Sequence, residues 1–323
     1  VINHELRESL KAQMNFIRTR IYDGKITETK FKETCTKFLN SDIIERRGTY
    51  YIVKPTMLAI TLAADWLLST DSERIIEIIQ ELKQFKLEEK FVERLKDLDQ
   101  LDKAKDIVAE LWGPNSPFGS AEVLNTSWGS LLFRYVVEVN PVATIQALES
   151  SFGKLTKTEI FNVDEGRRNL VWALEKLCFR KATFNAAAKI LYSFAVSENE
   201  YWANNSSNQF KQLFQLFLPG TEASLKERLE IIHWGLSKED NYYTLIAIHA
   251  LGRGLINDYF SRTGGSEKQG SSAPIQDFIP NWNEIRDYRN EIITILTTLA
   301  ISNESYSELA KEKIAHSVRS LLR

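Results

Sequence analysis

At 323 residues, with 43% hydrophobic and 26% charged side chains, the chain is long enough for about two domains or one elongated repeat array, and its composition excludes wholesale disorder. A formal net charge of -2, from 41 Lys and Arg against 43 Asp and Glu, excludes a global attraction to nucleic acid or to anionic membrane; only a local patch could supply one. Two cysteines, Cys35 and Cys178, without a CxxC spacing, and four scattered histidines, argue against a disulfide framework and a structural zinc site and suit a reducing cytoplasm.

In chain order, Leu6, Leu10, Met14, Ile17 and Ile21 recur at steps of four, four, three and four, which predicts a helix. Asp23-Gly24 predicts a turn, and Thr27 opens a second helix with Phe31, Cys35, Phe38 and Leu39 expected inward. Two β-rich runs from Ile43 to Val53, separated near Arg47-Gly48, read as a hairpin. Pro55 suits the start of a third helix that carries Leu58, Leu62, Ala63, Trp66 and Leu67. Helix, helix, hairpin, helix over residues 1–70 is the order of a winged-helix module.

From Asp71 onward the pattern is helical, with its sharpest break at Trp112-Gly113-Pro114-Asn115-Ser116-Pro117. One helix is expected over 120–139 and another over 141–151, divided by Asn140-Pro141. The stretch the chain is organised around follows: Leu170, Leu174 and Leu177; then Phe184, Ala188, Leu191 and Ala195; then Phe210, Leu213, Phe214 and Phe217. Each set falls on one helical face, and three such helices need flanking segments to cover them. Further helices are expected over 223–235, 240–259, 282–300 and 305–322, with a polar loop over 262–277. Paired helices on short connections over 71–323 read as a HEAT-like α-solenoid of degenerate repeats, with a subdivision near 113–117. The fold class is mostly α. Val1 stands inside a helix-like pattern and SVRSLLR ends in one, which reads as a fragment of a longer protein.

No phosphate loop, GxGxxG, GxSxG or HExxH is present, no apolar run approaches the roughly 18 residues of a membrane span, and no secretory signal is visible. The reading is therefore of no catalytic residues, cofactor or metal, and of a cytoplasmic protein that acts through a protein partner. His233, beside Trp234, and His249, on an Ala/Leu/Ile face, read as core or boundary residues, and the carboxylates of 198–200 as solvated or near helix ends. Arg46 and Arg47, beside the hairpin turn and near Lys25, Lys30, Lys32 and Lys37, are candidates for phosphate contact. DNA binding is thus the alternative function, set against local charge cancellation by Glu28, Glu33, Asp42 and Glu45. Tyr201, Trp202, Asn204 and Asn205 form an aromatic-amide cluster that reads first as caps and rings that finish helix ends, with a ligand pocket or interaction surface as the alternative. Arg167-Arg168 and Arg180-Lys181 read as exposed basic pairs.

The segment DIIERRGTYYIVKPTMLAITLAADWL, through Pro55, Leu58, Ala59, Leu62, Ala63 and Trp66, resembles the winged-helix region that follows the NTPase module in bacterial STAND-type proteins of the NACHT and AP-ATPase groups. Trp172, Leu174, Glu175, Phe184, Leu191, Glu198, Asn204, Phe210, Thr221 and Arg228 carry a similar likeness to the helical region of such proteins. The resemblance implies a regulatory and sensor segment. Its helical array would bind a trigger, its winged helix would couple that event to an ATPase, and the NTPase module would lie outside this sequence, whose own residues match none of the nucleotide-binding motifs.

Overall fold

Thr27 begins a helix because its hydroxyl accepts the Lys30 N–H, which leaves one fewer orphan donor at the N-terminus. The computed structural model describes residues 11–47, 50–85, 87–256 and 276–321. Among these the chain is mostly helical, with one two-stranded antiparallel sheet. It divides into two compact units, Val1–Ile107 and Val108–Arg323.

In the first unit, helix α1 passes through residues 11–16 and ends in a π-helical turn at Ile17–Ile21. Asp23 and Gly24, both at positive φ, reverse the chain into α2 (Glu28–Asn40). Strands β1 (Ile44–Arg47) and β2 (Tyr50–Val53) pair with Arg46 opposite Tyr51. Helices α3 (Thr56–Ser69), α4 (Ser72–Leu82) and α5 (Glu88–Leu95) follow. Their core is Phe16, Ile78 and Leu82, ringed by Trp66, Phe85, Leu87 and Phe91. Arg20 holds α1 to α4 through Glu81, with Nε 2.6 Å from Oε2, and through Glu77 at 3.3 Å. The inward face expected for α2 is not buried. Phe31, Cys35 and Leu39 are half-buried and Phe38 is exposed, because α2 packs chiefly on the short strand β1, whose side chains are too few to cover it. Leu62, on α3, is likewise exposed.

The second unit begins within α6 (Asp102–Trp112), which ends where Asn115 takes a positive φ and Ser116 Oγ donates to the Leu111 and Gly113 carbonyls. The single helix expected over 120–139 is two, α7 (Ala121–Leu124) and α8 (Ser127–Val136). The break lies at Thr126, which caps α8 by accepting the Gly129 N–H at 2.9 Å, while Asn125 leaves the helix to accept the Asp164 N–H at 2.9 Å. Then come α9 (Pro141–Phe152), with Pro141 in its first turn, α10 (Lys157–Phe161), α11 (Arg167–Phe179), α12 (Lys181–Val196) and α13 (Ser206–Gln212). Helices α14 (Leu225–Leu236), α15 (Asn241–Gly254), α16 (Trp282–Ile301) and α17 (Ser307–Leu321) complete the order. The polar loop expected over 262–277 lies largely outside the described residues.

Helix α12 is buried around most of its circumference, as a helix at the centre of others must be. Phe184, Ala188, Leu191 and Ala195 are all in the core, as are Leu170, Leu174 and Leu177 of α11. Each such leucine or phenylalanine contributes about 1.5–3 kcal/mol by leaving water. Principal packing runs from each pair of long helices to the next. Helices α8 and α9 lie on α11 and α12, α12 lies on α14 and α15, and those two lie on α16 and α17. Short α10 and α13 fill the gaps beside α12. Tyr192 of α12 stacks on Phe210 of α13 with centroids 4.2 Å apart, and its hydroxyl donates to the Tyr243 carbonyl at 2.6 Å. The third helix of the central stretch is shorter than expected. It stops at Gln212, and Phe217 is exposed because the chain turns there through Leu218 at positive φ and Pro219-Gly220.

Candidate interaction site at the α12–α13 connection

The site is built on a buried guanidinium. Arg167, expected in an exposed basic pair, has no solvent exposure. It is the first residue of α11, where its side chain reaches back under the neighbouring helix ends. Its Nη1 donates to the Ile160 carbonyl at 3.0 Å, and its Nη2 to the carbonyls of Phe194 and Ser197, each at 2.7 Å. These are C-terminal carbonyls of α10 and α12, at the negative end of the helix dipole, and those of Ile160 and Phe194 also accept the Val163 and Ser197 N–H groups, each at 3.1 Å. Burial pushes the Arg167 guanidinium below its ordinary pKa, and Glu198, Glu200 and Asp164 oppose that shift.

Glu198 is the second anchor. Expected on a solvated face or near a helix end, it lies just after α12, and its carboxylate is nearly enclosed by the turn there. Oε1 accepts the N–H groups of Asn199 and Glu200, each at 3.1 Å, and lies 3.6 Å from Arg167 Nε. Oε2 accepts the Ser206 hydroxyl at 2.6 Å and the Ser207 N–H at 2.9 Å, at the start of α13. One carboxylate therefore fixes both ends of the connection 197–205. Asn205 closes it: its side-chain oxygen accepts the Asn208 N–H at 3.0 Å, and its Nδ2 donates to the Glu200 carbonyl at 2.9 Å. Asn199 ties the loop to α10 by donating to the Phe161 carbonyl at 2.8 Å.

What this framework holds outward is aromatic. Tyr201 is 101% exposed and Trp202 47% exposed. The Trp202 indole N–H donates to Glu200 Oε2 at 2.6 Å, and the Arg168 guanidinium lies 3.7 Å over its ring centroid. The ring is thus gripped from its edge and from one face, a geometry in which cation–π attraction adds about 0.5–1 kcal/mol at an exposed site. Asn204 is exposed beside it. Of the four residues singled out here from the sequence, Tyr201, Trp202 and Asn204 face outward and Asn205 is a buried helix cap. Arg167, Arg168, Glu198 and Glu200 complete the arrangement. The two arginines stand together at a helix start, a pattern in which sequence alone does not say which one turns inward.

Arg46 and Arg47 belong to β1 in the other unit. Arg46 is exposed, and the Arg47 side chain lies outside the described residues. On α2, Lys32 pairs with Glu28 at 2.5 Å and Lys30 with Glu33 at 3.9 Å. His233, expected at the core or its boundary, is instead at the surface, since α14 turns it toward α16, where Nε2 lies 2.7 Å from Glu291 Oε1. His249 is half-buried. An open groove of about 600 Å³ between α7 and α10 includes Glu122 and Glu159, and both carboxylates accept hydrogen bonds from the caps of their own helices. Among the described residues no group of three or more His, Cys, Asp or Glu side chains could hold a metal ion, and no helix is long and apolar enough to cross a membrane. Comparison with family models, with curated proteins and with solved structures finds no match for this chain.

Proposed function

We propose that this chain is a non-catalytic regulatory module whose helical array docks a protein partner through the aromatic connection 197–205. The observation that carries this reading is the pairing of two exposed aromatic side chains with a loop whose backbone is pinned at both ends by Glu198 and Asn205. Exposed aromatics cost solvation. Where they stand on a pre-ordered loop, docking loses little conformational entropy, which is the property of an interface anchor. Packing from each helix pair to the next supports a HEAT-like α-solenoid, an architecture that offers extended surface rather than an enclosed chamber.

The test is quantitative capture from a lysate with the whole chain and with a Tyr201→Ala, Trp202→Ala variant, after circular dichroism shows that both are folded. A partner retained by the parent and reduced at least tenfold by the variant supports the reading. The same protein profile from both would sink it.

In the wider reading, supported by the resemblance and by the order of helices and hairpin in the first unit, the winged-helix-like unit couples partner binding to a STAND-type ATPase module elsewhere in a longer chain. A GxxxxGK[ST] motif in the complete reading frame, or its absence, decides that part. The ion pairs along α2 lower the charge that helix could offer to phosphates, so the DNA-binding alternative rests on the hairpin arginines. A salt-titrated duplex-binding assay on the parent and on Arg46→Ala tests it.

A further inference from the structure

Beyond the connection 197–205, exposed rings continue onto its neighbours. Lys157 and Phe161 stand four residues apart on α10 and so share a face, and Asn199 ties that helix to the connection by donating to the Phe161 carbonyl at 2.8 Å. Lys157 Nζ lies 2.7 Å from the ring centroid of Tyr242, the second residue of α15. On the other flank the Arg168 guanidinium lies over Trp202. Phe161 is 51% exposed and Tyr242 55% exposed, beside the exposed Tyr201 and Trp202. A run of contacts thus joins the start of α11, the connection, α10 and the start of α15, with rings along it and a cation at each end.

Both cations lack an acceptor. Among the described residues, neither Lys157 nor Arg168 donates a hydrogen bond or stands within ion-pair distance of a carboxylate. A guanidinium lying over a ring keeps its N–H edge free, and that edge can grip a carboxylate with two parallel hydrogen bonds. The carboxylates of the neighbourhood are turned elsewhere. Glu159 is on the opposite face of α10, where it lines the groove beside α7 with Asp164 and Glu165, and Glu200 accepts the Trp202 N–H. They would repel an extended polyphosphate laid across the region, whereas a peptide can place single carboxylates at the two cations. Arg168 and Lys157 also cover one face each of Trp202 and Tyr242, faces on which a nucleobase would stack.

Resting on the reading of the connection as a docking site, we infer that its partner presents an acidic peptide segment. Apolar side chains of that segment lie against Phe161, Trp202 and Tyr242, and its carboxylates meet Lys157 and Arg168. Charge complementarity selects this occupant, because two cations without counter-charge gain one and no existing ion pair is broken.

A phage-displayed library of random dodecapeptides, selected on the whole chain, is the test. Selected peptides, resynthesised and titrated by fluorescence anisotropy, are expected to be enriched in Asp and Glu beside aromatic or aliphatic residues. Their affinity should fall at least tenfold in Lys157→Gln, Arg168→Gln, which keeps side-chain bulk and removes the charge, and should weaken as salt is raised. Trp202→Ala, Tyr242→Ala should weaken it as much. No enrichment over background, enrichment without acidic residues, or unchanged affinity in Lys157→Gln, Arg168→Gln would overturn the inference. So would oligothymidylate that binds the parent more tightly than every selected peptide. The two readings fail separately. Neutral peptides that still need Trp202 remove the acidic partner and leave the docking site standing, while peptides indifferent to both variants remove the site as well.

Discussion

Glu198 shows how much one side chain can carry. It satisfies four donors and faces a guanidinium with no access to water, so its removal strands all of them at once. Glu198→Ala is expected to cost about 2–4 kcal/mol in urea unfolding and to open the connection 197–205 to protease. Gly235 is constrained in the opposite sense, by the absence of space. A Cβ there would stand 2.1 Å from Tyr192 Cε1, so Gly235→Ala must displace a ring stacked on Phe210, at a cost of about 1–3 kcal/mol. Pairing it with Tyr192→Leu should recover part of that loss, a non-additivity that a double-mutant cycle measures. His249 gives a pH dependence of defined sign. Its folded-state pKa is below 6.5, so the unfolded chain binds the proton more readily, and stability falls as pH drops below about 6.5. Urea midpoints for the parent and His249→Gln between pH 8 and pH 5 check this; the variant should lose that part of the slope.

At the scale of elements, helix starts were the most legible feature. Thr27, Pro141 and the break around 113–117 follow from side chains that favour caps and turns over helix interiors, and the chain bends at each. The capping box of α14 illustrates the chemistry. Ser224 Oγ accepts the Glu227 N–H, and Glu227 Oε2 accepts the Ser224 N–H at 2.8 Å. Burial would raise the Glu227 carboxyl, but the Ser224 hydroxyl and N–H, with Lys181, outweigh it and leave the pKa below its ordinary value. Its contribution is therefore present above about pH 4.3 and lost as pH falls through the lower folded-state value. Ser224→Ala should cost about 1 kcal/mol at neutral pH by denaturant unfolding, with the difference from the parent shrinking in acid. The ends of helices were harder to read. Phe217 fits the apolar spacing of its helix as well as Phe210 does, but α13 stops five residues short because distant groups intervene: Arg228 Nη1 takes the Gln215 carbonyl and Asp277 takes the Gly220 N–H. Such long-range donors leave no local trace. The same holds for the site, where Tyr201 and Trp202 could be picked out as aromatics in a polar turn, whereas Arg167 and Glu198 became its anchors only once α10, α11 and α12 were brought together.

For the whole molecule, burial is uneven and stability should follow it. Helix α12 touches α9, α10, α11, α13, α14 and α15, while α2 buries no side chain fully. Native-state hydrogen exchange should accordingly be slowest in α12 and α11 and fastest in α2, with openings of α2 far below the global unfolding free energy. Equal protection in α2 and α12 would contradict the packing described. The contrast also separates the two kinds of surface on this chain: thinly covered helices that open readily, and a firmly held aromatic turn beside the best-buried helix.

One guanidinium finishing two helices has a mechanical corollary. The last turns of α10 and α12 share Arg167 as their terminal donor, so neither can fray without taking hydrogen bonds from the other. They behave as one latch. Amides that depend on these two turns should exchange with a common opening free energy, and Arg167→Met should release both together.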